Sequence, residues 1–314
     1  MKKIIVIFVC FAAISIFGPI AFIKPEAKEK TQNTKTVSAN QSLTEIETDS
    51  FSVKLKSGEI VTVSRDDYIV GCIAGEMPVN YNDEALKAQG IAAYTFALYK
   101  RETTDNEYDI TADYRIDQCY LTDGELREKW GDKYEEKREK LKRIVNSIKG
   151  KWISYDNRPI LSVYHGASCG VTFSCKDVWG KDLPYLQSVD SSFDKLSDEY
   201  INKEEFSFSD FYKKTDVGSK TDEKPKIILK TQKNGRVEEV TVNGKKISGS
   251  DFCNALSLKS QNFNFEVKDN SISFTAYGRG HGVGMSQVGA NYLASNGSTY
   301  KEILHHYYKG CSIK

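Results

Sequence analysis

Three short stretches of the chain hold side chains able to do chemistry. Glu76 is the one carboxylate in the apolar run CIAGEMP; His165, Cys169 and Cys175 recur as H-x3-C-x5-C in YHGASCGVTFSC; and His281 lies among four glycines in GRGHGVGMSQ. A buried Glu76 would lose the hydration of its charged form, and the resulting rise in pKa suits a general acid working near neutrality. Gly75 lets another segment approach closely and Pro78 stops the element. A carboxylate that caps the next helix or pairs with a lysine accounts for Glu76 at least as well at this level.

Imidazole and thiolate are preferred zinc ligands, and three protein ligands with a fourth position open or supplied from elsewhere make a known site type. A Cys169–Cys175 disulfide competes, because six of the seven cysteines follow the amino-terminal apolar run, an even number in an exported chain. A third reading makes Cys169 a thiolate nucleophile with His165 as its base. The residues alone leave all three open. The glycine-rich stretch fits neither the dinucleotide nor the Walker phosphate pattern. Its glycines bring backbone close to a ligand or to the core, with His281 and Gln287 offering hydrogen bonds, and a tight core loop with a satisfied histidine explains it equally. His305 and His306 are adjacent on a predicted helix, so they point apart and share no metal.

These residues need elements to hold them. Phe51 to Val63 alternates apolar and polar residues about Ser57-Gly58, which predicts a hairpin, and a helical entry follows over Asp66 to Ile73. Asn82, Asp83 and Glu84 cap a helix running to Lys100-Arg101, with Leu86, Ile91, Tyr94, Thr95 and Leu98 at helical spacing. A second helix is predicted from Thr122 to Ile148, its EEKREK run a solvated face. Lys151 to Tyr155 and Ile160 to Tyr164 read as a hairpin that delivers the chain to His165. Loops and a short helix are expected over 181–221. Strands Ile227 to Thr231 and Val237 to Val242, a short helix from Ser250 to Leu256, the strand SISFTAY and two helices, Met285 to Ser295 and Ser298 to Tyr308, complete the chain. Helices and strands interleave without regular βα units, so the expected class is α+β, with mixed small sheets and packed helices.

Lys2 and Lys3 precede the uncharged run Ile4 to Ile23. A bilayer span takes about 20 apolar residues, so this run reads as an uncleaved transmembrane helix, with a shorter cleaved signal ending near Gly18-Pro19 as the competing reading. The basic start holds that end in the cytoplasm. The expected organisation is an anchor over 1–24, a flexible polar linker over 25–50 and an extracytoplasmic domain over 51–314, placed at the cell membrane as a single-pass protein. With 44 Lys and Arg against 43 Asp and Glu in 314 residues, no global field favours nucleic acid.

The segments AGEMPVNYNDEALKAQGIAAYTFALY, SVYHGASCGVTFSCKDVWGKDLPYLQSV and GRGHGVGMSQVGANYLASNGSTYKEILHHYYKG, in that order, resemble the stage II sporulation protein D (SpoIID) family of peptidoglycan lytic transglycosylases. The resemblance implies a membrane-anchored protein of endospore formers, acting on septal peptidoglycan during forespore engulfment with the amidase SpoIIP and the membrane protein SpoIIM. It implies cleavage between MurNAc and GlcNAc to leave 1,6-anhydro-MurNAc ends, with Glu76 as catalytic acid; Tyr94, Gln89, His281 and Gln287 are expected to bind substrate. The chain departs from the family pattern at two places. Tyr94 stands where relatives commonly have arginine, and Cys169 and Phe173 replace the glycine and acid of HSTSGGxTE. Clostridial relatives that resemble the chain here are associated with zinc, which favours His165, Cys169 and Cys175 as zinc ligands over the disulfide; such an ion would shape the groove wall or polarise a substrate oxygen. A glycan-binding scaffold for an amidase and a zinc-dependent cell-wall amidase are the alternatives.

Overall fold

The structure is a computed structural model that describes residues 50–217 and 223–314. The expected anchor, and the expected linker up to Ser50, lie outside the described residues. Among those described, no helix is long and apolar enough to cross a membrane. The architecture is α+β, built from small sheets and packed helices around two hydrophobic cores.

The hairpin forms as predicted: β1 (Ser50–Lys54) pairs antiparallel with β2 (Ile60–Ser64), setting buried Phe51 opposite Val63. Ser64 ends the strand and caps α1 (Arg65–Glu76), its hydroxyl accepting the Asp67 N–H at 3.2 Å. Asn82 caps α2 (Asp83–Thr103), where acids in the first turn and Lys100 and Arg101 in the last complement the helix dipole. Buried residues recur all along α2, so it is the central helix of the larger core rather than a surface helix. The two-residue strand β3 (Ile110–Thr111) then joins β1 in parallel.

The single helix expected over 122–148 is broken in two. Thr122 and Glu125 form a capping box for α3 (Asp123–Trp130), which ends where Gly131 takes φ +50°, and α4 (Tyr134–Ser147) follows a short 3-10 turn. The hairpin after it is shorter than expected. β4 (Ile153–Tyr155) turns through Asp156 and Asn157, both at positive φ, into β5 (Arg158–Pro159). No strand continues to Tyr164. Instead β6 (Tyr164–His165) pairs in parallel with β13 (Met285–Ser286), far along the chain.

After β6 come α5 (Cys175–Trp179) and a 3-10 turn at Ser192–Leu196. A second lobe follows. It contains β7 (Ile201–Ser207), α6 (Phe208–Thr215), β8 (Ile227–Thr231), β9 (Val237–Val242), β10 (Lys245–Ser248), α7 (Gly249–Leu256), β11 (Phe263–Val267) and β12 (Ser271–Tyr277). Its own core packs Phe211, Phe252, Phe263 and Phe274 ring on ring between the sheets β10-β9-β8 and β11-β12-β7. The lobe's ends meet, the Gly278 N–H donating to the Tyr200 carbonyl at 2.7 Å, so it leaves the rest of the chain running directly from the 3-10 turn to the glycine-rich loop. That loop leads into β13, α8 (Gln287–Ser295) and α9 (Tyr300–Tyr307), and β14 (Ser312–Ile313) closes on β4.

Candidate active site

Glu76 is the last residue of α1, half-buried, at the negative end of the helix dipole. Its surroundings follow from two glycines on the same helix. A Cβ on Gly71 would lie 2.5 Å from the Leu121 carbonyl oxygen, and one on Gly75 would lie 2.7 Å from Cys119 Sγ. Only bare backbone lets segment 118–121 lie against α1 this closely. That contact brings the Cys119 N–H to Glu76 Oε1 at 2.7 Å, while Gln287 Nε2, at the start of α8, reaches Oε2 at 3.4 Å. Gln287 also reaches Gln89 Oε1 at 3.5 Å, so its amide links α8 to both α1 and α2.

Burial dominates the electrostatics of Glu76. Loss of hydration pushes its carboxyl up from 4.5 to about 7, against the Cys119 and Gln287 hydrogen bonds and the charges of Arg279 and Lys129, which favour the ionised form. Lys129 is held at the end of α1 by the Ala74 carbonyl, 2.7 Å away, and Arg279 is paired with Glu199 at 2.7 Å. The charged groups acting on Glu76 are therefore both cations. Beside it, burial pushes the Cys119 thiol up to about 12 and raises Tyr164 well above the usual phenol range, so both stay neutral. Since Oε1 accepts the stronger backbone hydrogen bond, the proton of a neutral Glu76 belongs on Oε2, beside Gln287.

A raised carboxyl also makes a stability prediction. Because Glu76 titrates higher folded than unfolded, its contribution is fully present below its ordinary pKa of 4.5 and is lost as pH rises through about 7, a cost of up to about 3 kcal/mol above that range. Glu76→Gln removes the titration. In urea unfolding, the variant is expected to gain on the wild type between pH 4.5 and 8, and a stability difference that stays constant across that window would refute the burial argument.

The other expected site residues divide. Gln287 is at Glu76 and Gln89 is at Gln287, with Gln89 Nε2 buried without a hydrogen-bond partner. Tyr94 packs into the core. Five residues beyond Gln89, it lies about 140° around the helix, 2% exposed with its ring edge-on to Phe51, 5.9 Å away. Its ring is part of the larger core. His281 is also committed to the fold. Its Nδ1 accepts the Val283 N–H at 3.0 Å and its other nitrogen binds the Tyr164 backbone, while His165 donates from Nδ1 to the Val283 carbonyl at 3.1 Å. The two imidazoles clasp Val283 from both sides, and burial lowers them to about 3 for His281 and about 4 for His165, so both are neutral near pH 7.

The donors of the H-x3-C-x5-C cluster do not converge. Cys175 is buried at the first position of α5, its thiol raised by burial to about 11. Cys169 Sγ turns to the Val171 carbonyl at 3.6 Å, beside Asn262 and Lys195, and burial raises it too. His165 Nε2 is buried without a partner, but among the described residues no three His, Cys, Asp or Glu side chains gather as a metal site. Both cysteines are free thiols. The arrangement thus fits neither the zinc ligand set nor the disulfide. A reactive thiolate would also need a lowered pKa rather than a raised one.

Four contributors were not foreseen. Arg279 stood in the quoted glycine-rich stretch and could have been singled out as the cation there. Lys129, Asp194 and the backbone N–H of Cys119 carry no local sequence signal.

Residues 54–155, which include Glu76, match the SpoIID family profile, described as "Stage II sporulation protein". The chain belongs to this family. It is 32% identical over 299 residues to stage II sporulation protein D of Bacillus amyloliquefaciens, covering 93% of this chain and 87% of that one. It is 34% identical over 262 residues to stage II sporulation protein D of Bacillus subtilis (strain 168), covering 81% and 75%. A more distant likeness, 24% over 300 residues, joins 77% of this chain to 40% of the amidase enhancer of the same Bacillus subtilis strain.

Proposed function

We propose that the protein is a peptidoglycan lytic transglycosylase that cuts glycan strands between MurNAc and GlcNAc during sporulation, with Glu76 as its one acid and base. The observation that carries this reading is the Glu76 carboxyl itself, pushed by burial up to about 7 so that acid and carboxylate are both populated near neutrality, with Arg279 and Lys129 as the charges that act on it. Ordinary glycosidases place two carboxyl groups about 5 to 9.5 Å apart, one to protonate the leaving oxygen and one to act as nucleophile or to activate water. A lytic transglycosylase needs only the first. Glu76 protonates the glycosidic oxygen from Oε2 and then, as the carboxylate, takes the proton of the sugar's own C6 hydroxyl, which closes on C1 to give the 1,6-anhydro end. No water is consumed. Arg279 and Lys129 favour the ionised intermediate state of Glu76, and burial favours its return to the acid.

The test is mass spectrometry of products from purified glycan strands. Anhydro-ended fragments are the expected result, and reducing ends alone would overturn the reading. No step is routed through zinc. An ion on His165, Cys169 and Cys175 would require those side chains to converge from separate surroundings, and elemental analysis of the purified chain tests that directly. The likeness to a protein named amidase enhancer favours a second, compatible role: partnership with a cell-wall amidase, for which SpoIIP, together with SpoIIM at the engulfing membrane, is the proposed assembly. A protein that binds glycan and stimulates an amidase but releases no fragments would leave that role alone standing.

A further inference from the structure

Asp194, in the 3-10 turn after α5, is 0% exposed. Its Oδ2 accepts both the Ser168 backbone N–H and the Ser286 hydroxyl, each at 2.6 Å. These two donors come from the two pieces of chain that meet at β6 and β13: Ser168 lies in the loop leaving β6, and Ser286 sits opposite His165 in β13. Ser286 has a second task, since its Oγ accepts the Gly289 N–H at 3.1 Å and so caps α8, whose first residue is Gln287. The helix rests directly on the carboxylate. A Cβ on Gly289 would fall 2.6 Å from Asp194 Oδ1 and 2.1 Å from the Tyr307 hydroxyl, which itself lies 3.0 Å from Ser191 Oγ. Burial raises the Asp194 carboxyl, and what opposes that is hydrogen bonding from Ser286, Ser168 and Ser191, with no cation among them. A buried carboxylate without a counter-ion is costly. Here it ties the loop leaving β6 to β13 and, through Ser286, to the first turn of α8.

We propose that Asp194 is a positioning residue for Glu76: by holding Ser286 it fixes the first turn of α8 and keeps the Gln287 amide on the Glu76 carboxyl. The proposal rests on Glu76 being the acid of the reaction proposed above. The contacts it governs are long, 3.4 Å to Glu76 and 3.5 Å to Gln89, so a small displacement of α8 is enough to break them. The groups facing Glu76 are Cys72 from its own helix, Cys119, Lys129 from α3, Tyr164 from β6, Arg279 from the glycine-rich loop and Gln287 from α8. Of these, Gln287 alone is carried by the helix that Asp194 supports. Its hydrogen bond favours the charged carboxylate, so losing it moves the titration of Glu76 upward.

The experiment uses the full chain and the variants Gln287→Ala, Ser286→Ala, Asp194→Ala and Asp194→Asn. Two readouts are taken: the pH profile of kcat/KM for anhydro-product release, and the carboxyl carbon-13 titration of Glu76. Ser286→Ala removes a single oxygen and keeps the test alive if Asp194→Ala does not fold. Gln287→Ala, Ser286→Ala and Asp194→Ala are each expected to move the basic limb and the carboxyl titration to higher pH, with kcat/KM falling about tenfold. The double variant Ser286→Ala/Gln287→Ala is expected to move them no further than Gln287→Ala does. Asp194→Asn keeps an oxygen in place of Oδ2 and is expected to restore the wild-type limb. An unmoved titration in Ser286→Ala, or full additivity in the double variant, overturns the proposal. If the wild type releases no anhydro product yet the titrations move together, the reaction assignment falls and the coupling stands.

Discussion

Glu76→Gln is expected to lower release of anhydro-ended fragments by about 10³-fold or more, because the same group gives and then takes the proton in this reaction. The substitution keeps the shape of the site. The glutamine carbonyl can occupy the place of Oε1 and continue to accept the Cys119 N–H, so helix α1 and segment 118–121 remain together. Its amide then faces Gln287 Nε2, and a rotation of the Gln287 amide restores a donor to an acceptor. Binding of glycan strands is therefore expected to survive while turnover is lost. Glu76→Asp keeps a carboxyl but draws it back from both Cys119 and Gln287, and its activity is expected to fall nearly as far. Product mass spectrometry alongside a glycan pull-down checks both halves, and a Glu76→Gln protein that still releases fragments would end the assignment.

Residue chemistry alone left Glu76 open to a capping or ion-pair role, and it was the resemblance that singled it out as an acid, while Gly75 announced a close approach without saying by what. The approaching group is a backbone N–H, to which the Cys119 side chain contributes nothing readable. Gln287 was visible as a hydrogen-bonding residue after a glycine-rich stretch. Its arrival at Glu76 depends on the parallel pairing of two two-residue strands more than a hundred positions apart, and such a pair leaves no periodic trace in either segment. At the thiols the spacing says less for a related reason: H-x3-C-x5-C fixes how far apart three residues are along the chain and nothing about where they point. Cys175 enters a helix facing the core, Cys169 stays in a loop, and His165 is spent on Val283. Tyr94 drew notice as a departure from the family pattern. At that position the aromatic ring packs edge-on against Phe51. The second lobe was underread because β7, INKEEFS, alternates polar residues with few apolar ones, and only its pairing with β12 makes it a strand.

Gly284→Ala is expected to be the most damaging single methyl group in the molecule. Gly284 sits at φ +73°, immediately before β13, and a Cβ there would fall 2.0 Å from the Val163 carbonyl oxygen and 2.9 Å from its carbon. Both obstacles are backbone, so no side chain can swing aside. The left-handed conformation alone costs an L-residue about 1 to 2 kcal/mol, and relief of the overlap requires β6 and β13 to separate. The Val163 carbonyl also accepts the Met285 N–H at 3.2 Å and the Tyr308 hydroxyl at 2.9 Å, so moving it loosens the end of α9 as well. A total loss of about 4 kcal/mol or more is expected in urea unfolding. Gly58→Ala separates the two causes, since Gly58 has φ +93° with nothing within 4 Å of the added carbon and should show the conformational cost by itself. In the fraction of Gly284→Ala that stays folded, the parting of β6 from β13 carries Ser286, and with it Gln287, away from Glu76. Activity per folded molecule is then expected to fall along with stability. A Gly284→Ala protein no less stable than Gly58→Ala would mean that the β6–β13 pair can absorb the methyl group and is not the rigid support that holds α8 against Glu76.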